Sequence, residues 1–70
     1  MQNFYEGIMN DILQDIQELE GTITSLKNVN NKPEVISAIR KIDDIIDRKR
    51  EEFNKLEEQM QKEYIYGFSN

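Results

Sequence analysis

The side chains that could do chemistry in this 70-residue chain are restricted in kind, because it contains neither histidine nor cysteine. That excludes imidazole general bases, thiolate nucleophiles and the usual zinc ligands. Carboxylates are plentiful, but a di-metal carboxylate bundle draws on inward Glu-x-x-His motifs, which this sequence cannot supply. It also has no glycine-rich phosphate loop and no nucleophile elbow. We therefore predict no catalytic residue, no metal site, no cofactor and no small-molecule substrate.

Lys49 is a charged side chain that the sequence places on an apolar seam, facing Ile16 across a predicted helix pair. A desolvated lysine can act as a nucleophile or a base. We favour a structural role, in which the aliphatic stem packs and the ammonium group reaches Asp15 or solvent. Such a residue helps to fix the register of two helices at some cost in stability. The protein is therefore expected not to be an enzyme.

Two long helices joined by a short turn would position these side chains. Apolar residues recur in steps of three and four on either side of residues 28–32, where asparagines cluster before Pro33. Proline suits the first turn of a helix because the N–H that it lacks would be unpaired there, and Glu34 complements the positive end of the helix dipole. The sequence predicts a first helix from about residue 4 to 27 and a second from about 33 to 64.

The two seams match when the chain folds back at the turn. Antiparallel packing pairs a heptad a position with a d position, and here the residue numbers of each pair add up to 65. Because turn, heptad frame and pairing agree, we predict an all-α fold, an antiparallel helical hairpin that forms a single domain. The predicted pairs are Leu26 with Ile39, Ile23 with Ile42, Leu19 with Ile46, Ile12 with Phe53, Met9 with Leu56 and Tyr5 with Met60.

Further apolar residues widen the seams beyond what two helices can cover. They occupy e and g positions, and a lone hairpin would leave them in water. A chain of this length rarely buries a sufficient core, and oligomerisation is the means of stabilisation that remains without disulfides or zinc. We expect a homodimer that forms a four-helix bundle, although the helices of another protein would satisfy the same physics. The predicted interface contains Ile8, Leu13, Ile36, Ile45 and Lys49.

Acid–base pairs four residues apart mark the outer surface of the second predicted helix. This spacing places the two side chains of each pair on adjacent turns, so we expect a ladder of exposed ion pairs. The pairs are Asp44 with Arg48, Glu51 with Lys55 and Glu58 with Lys62.

Charge is distributed unevenly along the chain, whose net charge is −5. Residues 1–30 contain five acids and one lysine, whereas residues 31–70 contain nine acids and eight bases. This balance argues against binding to nucleic acid or to an anionic membrane, because both need clustered cations. The acidic first helix leaves open an inhibitor that mimics nucleic acid, of the phage anti-defence type. No stretch is apolar enough to span a membrane, and we expect a cytoplasmic protein.

The C-terminal end carries large apolar side chains that have no partner in the hairpin register, because residues beyond 63 extend past the start of the first helix. In one interpretation Gly67 ends the helix and the tail, residues 65–70, folds back onto its own chain. In the other, the tail is an anchor that inserts aromatic side chains into a partner. The predicted partner-binding residues are Tyr64, Ile65, Tyr66 and Phe68.

The hairpin around Pro33 resembles the sporulation-regulating aspartyl-phosphate phosphatases of bacilli, small helical hairpins whose second helix carries a Ser-Gln-Glu-Leu-Asp signature. Residues 39–43, Ile-Arg-Lys-Ile-Asp, fall on that signature, and Asp43 is identical. The resemblance implies that Asp43 would act in the dephosphorylation of a response regulator, and we keep this as an alternative. The function that we predict is a non-catalytic protein-interaction module, acting as an adaptor, an assembly factor or a small inhibitor.

Overall fold

The chain forms two helices packed against each other in the computed structural model, which describes the backbone of residues 4–69 and the side chains of residues 4–63. Helix α1 spans Phe4–Lys27 and helix α2 spans Pro33–Ser69. The described residues contain no strand. The predicted all-α helical hairpin is therefore confirmed. Its assembly into a four-helix bundle involves contacts between chains and stays a prediction.

The turn between the helices closes through main-chain hydrogen bonds and one asparagine side chain. The N–H groups of Asn28 and Val29 donate to carbonyl oxygens in the last turn of α1, at 3.0–3.3 Å. The N–H of Lys32 donates to Asn30 Oδ1 at 2.9 Å, and the Lys32 carbonyl accepts the first hydrogen bond of α2, from Val35 at 2.9 Å. Lys32 is thus the N-cap residue, which places Pro33 at the first helical position as its chemistry favours.

Helix α2 continues beyond the predicted end near Tyr64 and includes Gly67. A glycine inside a helix costs about 1 kcal/mol relative to alanine. This cost alone is too small to end the helix. Because α2 has 37 residues and α1 has 24, the last turns of α2 extend past the start of α1. The side chains of the predicted tail residues lie outside the described residues, so their binding role stays a prediction from the sequence.

The core lies along the predicted seam. Ile46 is its most buried member at 3% exposure, and it forms one cluster with Ile12, Ile16 and Ile23 of α1. Full burial of one such side chain contributes about 1.5–3 kcal/mol. Half-buried side chains complete the cluster, and all of them except Ile8 occupy predicted seam positions: Ile8, Leu19, Ile39, Ile42, Phe53 and Leu56.

Neither helix, over the residues that the structure describes, contains a segment both long enough and apolar enough to cross a bilayer.

Candidate functional site

The hairpin is a single layer of two helices, 58 × 17 × 10 Å overall, and therefore has two broad faces. In an antiparallel pair, the e positions of both helices lie on one side of the seam and the g positions on the other. We name these the Leu13 face and the Ile45 face. Leu13 is 43% exposed, Ile36 is 42% exposed and Ile45 is 36% exposed. Leu13 and Ile36 share a face, whereas Ile45 lies on the opposite one, so the predicted interface residues form two patches.

The Leu13 face contains a groove that residues of both helices line. Half-buried Phe53 and buried Ile16 lie beside Leu13 in a shallow depression of about 330 Å³. Arg50 and Glu20 border this groove and form an exposed ion pair, with 2.8 Å between Arg50 Nη2 and Glu20 Oε2. The groove therefore combines an apolar floor with a polar margin, which is the composition of many helix-binding surfaces.

The Ile45 face contains two adjoining grooves, both lined by Ile45 and Lys49. Their volumes are about 280 and 610 Å³, the larger one lying on the α2 side. Lys49 Nζ lies 3.3 Å from Asp15 Oδ2, and the lysine side chain is 29% exposed. The predicted contact between the ammonium group of Lys49 and Asp15 is therefore confirmed. Ile8, which occupies the same face, packs against the core and is half-buried.

Charges on the Ile45 face are segregated by helix. The α1 side carries acids and the α2 side carries mainly bases, with Glu34 and Glu52 among them. No described ion pair or side-chain hydrogen bond engages the carboxylates of Asp11 and Glu18 or the ammonium of Lys55. The acids are Asp11, Asp15 and Glu18, and the bases are Lys41, Arg48, Lys55 and Lys62.

The expected ladder of ion pairs on α2 is wrong for the described residues, where the two ion pairs both join α2 to α1. Arg48 Nε instead donates to the carbonyl oxygen of Asp44 at 3.4 Å. Exposed acid–base pairs gain little over hydration, so spacing alone does not bring them together. The basic side chains of this surface consequently remain available for contacts outside the chain.

A hydrogen bond closes the end of the hairpin opposite the turn. Tyr5 donates its phenol O–H to Glu63 Oε2 at 2.5 Å. The sequence predicted only a packing pair of Tyr5 with Met60 here. This hydrogen bond, together with reduced hydration and the negative charge of Glu63, raises the pKa of Tyr5 above its ordinary value of 10.0. The contact therefore favours the folded state while the phenol is protonated, and it is lost as the pH rises through the raised pKa.

We expect the Cζ resonance of Tyr5 in ¹³C NMR to titrate at higher pH than that of an unperturbed tyrosine. Glu63→Ala should lower the midpoint to the ordinary value, because it removes both the acceptor and the charge. Tyr5→Phe assigns the signal among the three tyrosines. Equal midpoints in the wild type and Glu63→Ala would show that the contact does not form in solution.

No family model matches this chain. No curated protein and no solved structure is significantly similar to it.

Asp43, the residue implied by the phosphatase resemblance, is exposed on α2 at an e position of the Leu13 face. Its carboxylate makes no ion pair or hydrogen bond with the described residues. Among those residues there is also no cluster of acids that could hold a metal ion. The structure thus places Asp43 on a helix surface without bringing a second functional group to it.

Some residues of both faces were missed by the sequence analysis. Arg50 and Glu20 both occupy e positions and carry opposite charges, a signal that could have been recognised because facing e positions contact each other in antiparallel pairs. The separation of acids and bases on the Ile45 face could also have been predicted from the heptad frame, because most of these charged residues occupy c positions of the two helices.

Proposed function

We propose that this protein is a non-catalytic interaction module that binds other helices on the two faces of its hairpin. The observation that carries the proposal is the 36–43% exposure of Leu13, Ile36 and Ile45, three large aliphatic side chains on a surface otherwise rich in charge. Covering such side chains is favourable by roughly 25 cal/mol for each Å² removed from water. Partners that bring one or two helices complete a bundle of three or four, the arrangement in which e and g positions become core.

An adaptor, an assembly factor or a small inhibitor would work in this way, since each acts by occupying a partner's surface. Two of the grooves support this proposal because apolar side chains line them together with charged ones. A homodimeric four-helix bundle is the simplest completion, because one copy offers the other two amphipathic helices at once. The predicted aromatic tail would extend the same surface past the start of α1.

The proposal is tested by charging the centre of the Leu13 groove. We expect Leu13→Glu to weaken partner binding at least about tenfold, since a carboxylate would have to be buried where a leucine was. Gln17→Glu is the matched control, because Gln17 borders the same groove and the added charge is identical. Affinity capture from host lysate identifies the partner, and biolayer interferometry with the purified partner measures the change.

Circular dichroism of both variants verifies that the hairpin stays helical. A chain ending at Glu63 tests the tail in the same assay, and Ile36→Glu and Ile45→Glu test the remaining exposed side chains. If the captured partner bound all of these variants as tightly as the wild type, the exposed apolar side chains would not be the docking surface.

A further inference from the structure

We infer that the Ile45 face binds a second copy of this chain, around a twofold axis that runs parallel to the helices. This inference rests on the proposed function, because it names the occupant of one of the two docking faces. The supporting observations are the exposure of Ile45, the shared lining of the two grooves and the separation of charge between the helices on this face.

Charge selects the orientation of the two copies. When two such layers meet face to face, the twofold axis lies in the interface, either along the helices or across them. An axis across the helices would place α1 on α1 and α2 on α2, which sets acids against acids and bases against bases. An axis along the helices places each α1 on the partner's α2, so that opposite charges meet. Complementary potentials of this kind decide orientation and partner choice more than they decide affinity.

The register of the contacts follows from the same axis, because rotation about it keeps every residue at its own height along the bundle. Asp11 then faces Lys55 of the second copy, and Glu18 faces Arg48. Ile45 of one copy meets Ile45 of the other in a single apolar layer. All neighbouring helices are antiparallel, as in up-down-up-down bundles.

Next to the Ile45 layer lies the Asp15–Lys49 ion pair, which the twofold axis brings beside the same pair of the second copy. Four alternating charges at one height form a polar layer that is satisfied only when the two copies are in register. Polar residues at core positions of helical bundles commonly specify register and orientation in this way, at some cost in stability. The ion pair therefore specifies the register of the two copies in the dimer as well as that of the two helices in the hairpin.

The Leu13 face lacks this arrangement of charge. Acids and bases are interspersed along its α2 side, where two aspartates lie between two arginines: Arg40, Asp43, Asp47 and Arg50. Glu20 and Arg50 already neutralise each other within the chain at 2.8 Å. Charge would therefore not select the orientation of a second copy on the Leu13 face. This face remains open to a different partner after the dimer has formed.

Charge reversal on the full chain tests the inference. The first variant, Asp11→Lys with Glu18→Lys, sets bases against bases at the two inferred contacts, and the second, Arg48→Glu with Lys55→Glu, sets acids against acids there. We expect each to raise the dimer dissociation constant at least tenfold, measured by sedimentation equilibrium in low salt. The quadruple variant, which exchanges the two signs, should restore the wild-type constant, as should an equimolar mixture of the two double variants.

The control is Asp43→Lys with Asp47→Lys, which changes the charge of the Leu13 face by the same amount as the first variant and should leave dimerisation unchanged. A spin label attached through Asn31→Cys reports the axis, since the chain has no other cysteine. With the axis along the helices, both turns lie at one end and the labels are within roughly 20 Å. With the axis across them, the labels are separated by at least the length of α1, about 36 Å.

A wild-type chain that stays monomeric at 100 μM protein would overturn the inference, as would two double variants that dimerise like the wild type. So would a dimer that Leu13→Glu disrupts while Ile45→Glu does not. None of these results removes the proposed function, which fails separately if no partner binding responds to the apolar faces.

Discussion

Replacing Ile46 with alanine is expected to destabilise the hairpin by about 3 kcal/mol, the largest loss that we predict for any single side chain. Ile46 is 3% exposed and belongs to the cluster formed with Ile12, Ile16 and Ile23. The substitution removes three buried carbon atoms and leaves a cavity that two helices can only partly close. Because a domain of this size is stable by only a few kcal/mol, much of its helicity at 25 °C should be lost.

The measurement is thermal and urea unfolding followed by circular dichroism at 222 nm. We expect the melting temperature to fall by at least about 12 °C, since 1 kcal/mol corresponds to about 4–8 °C in small domains. Ile36→Ala is the matched control, because the same atoms are removed from the same helix at a side chain that is 42% exposed. Its effect should be below about 1 kcal/mol. Equal losses in the two variants would contradict the burial that distinguishes these positions.

Replacing Gly7 and Gly21 together with alanine is expected to stabilise the protein by about 1.5–2 kcal/mol. Both glycines are inside α1, and a Cβ atom built on either would have no neighbouring atom within 4 Å. Alanine therefore adds no clash, and it removes the extra backbone entropy that glycine loses when a helix forms, about 1 kcal/mol at each position. The melting temperature should rise by roughly 8 °C.

The single variants supply the internal control, because two distant and independent changes should add. Both positions lie at f, on the side of α1 away from the seam and outside both docking faces, so partner binding and dimerisation should not change. A gain in stability accompanied by a loss of partner binding would instead show that a partner approaches the helix closely at a glycine. Unchanged stability would show that α1 is already frayed at these positions.

The fold was predictable from the sequence because the signals that specify it are local and mutually consistent. Apolar periodicity identified the seam, and the asparagine cluster before Pro33 located the turn. The cap at Lys32 was not predicted, since capping there depends on a main-chain carbonyl and on the Asn30 side chain rather than on a favoured cap residue. The end of α2 was also placed too early, because Gly67 was given more weight as a helix stop than its cost of about 1 kcal/mol justifies.

The candidate site was predictable only in part. Leu13, Ile36 and Ile45 were identified as surplus to the hairpin, and the structure leaves them exposed. Their division between two faces was missed, because the residues at e and at g positions were assigned to one interface. The contacts of long polar side chains were the least predictable. Tyr5 reaches Glu63, and Arg48 reaches a carbonyl oxygen. Each contact depends on the rotamer of the side chain, and alternative rotamers of an exposed, hydrated side chain differ little in free energy.

The heptad frames of the two helices are out of step by two residues across the turn, and this offset disfavours domain swapping through one continuous helix. Continued without a break, the d positions of α1 would follow Leu26 at residues 33 and 40, whereas those of α2 are Val35 and Ile42. Two residues of helix correspond to a rotation of about 200°. A straightened chain would therefore present its two apolar stripes on opposite sides, and two such chains could not exchange helices along one continuous seam.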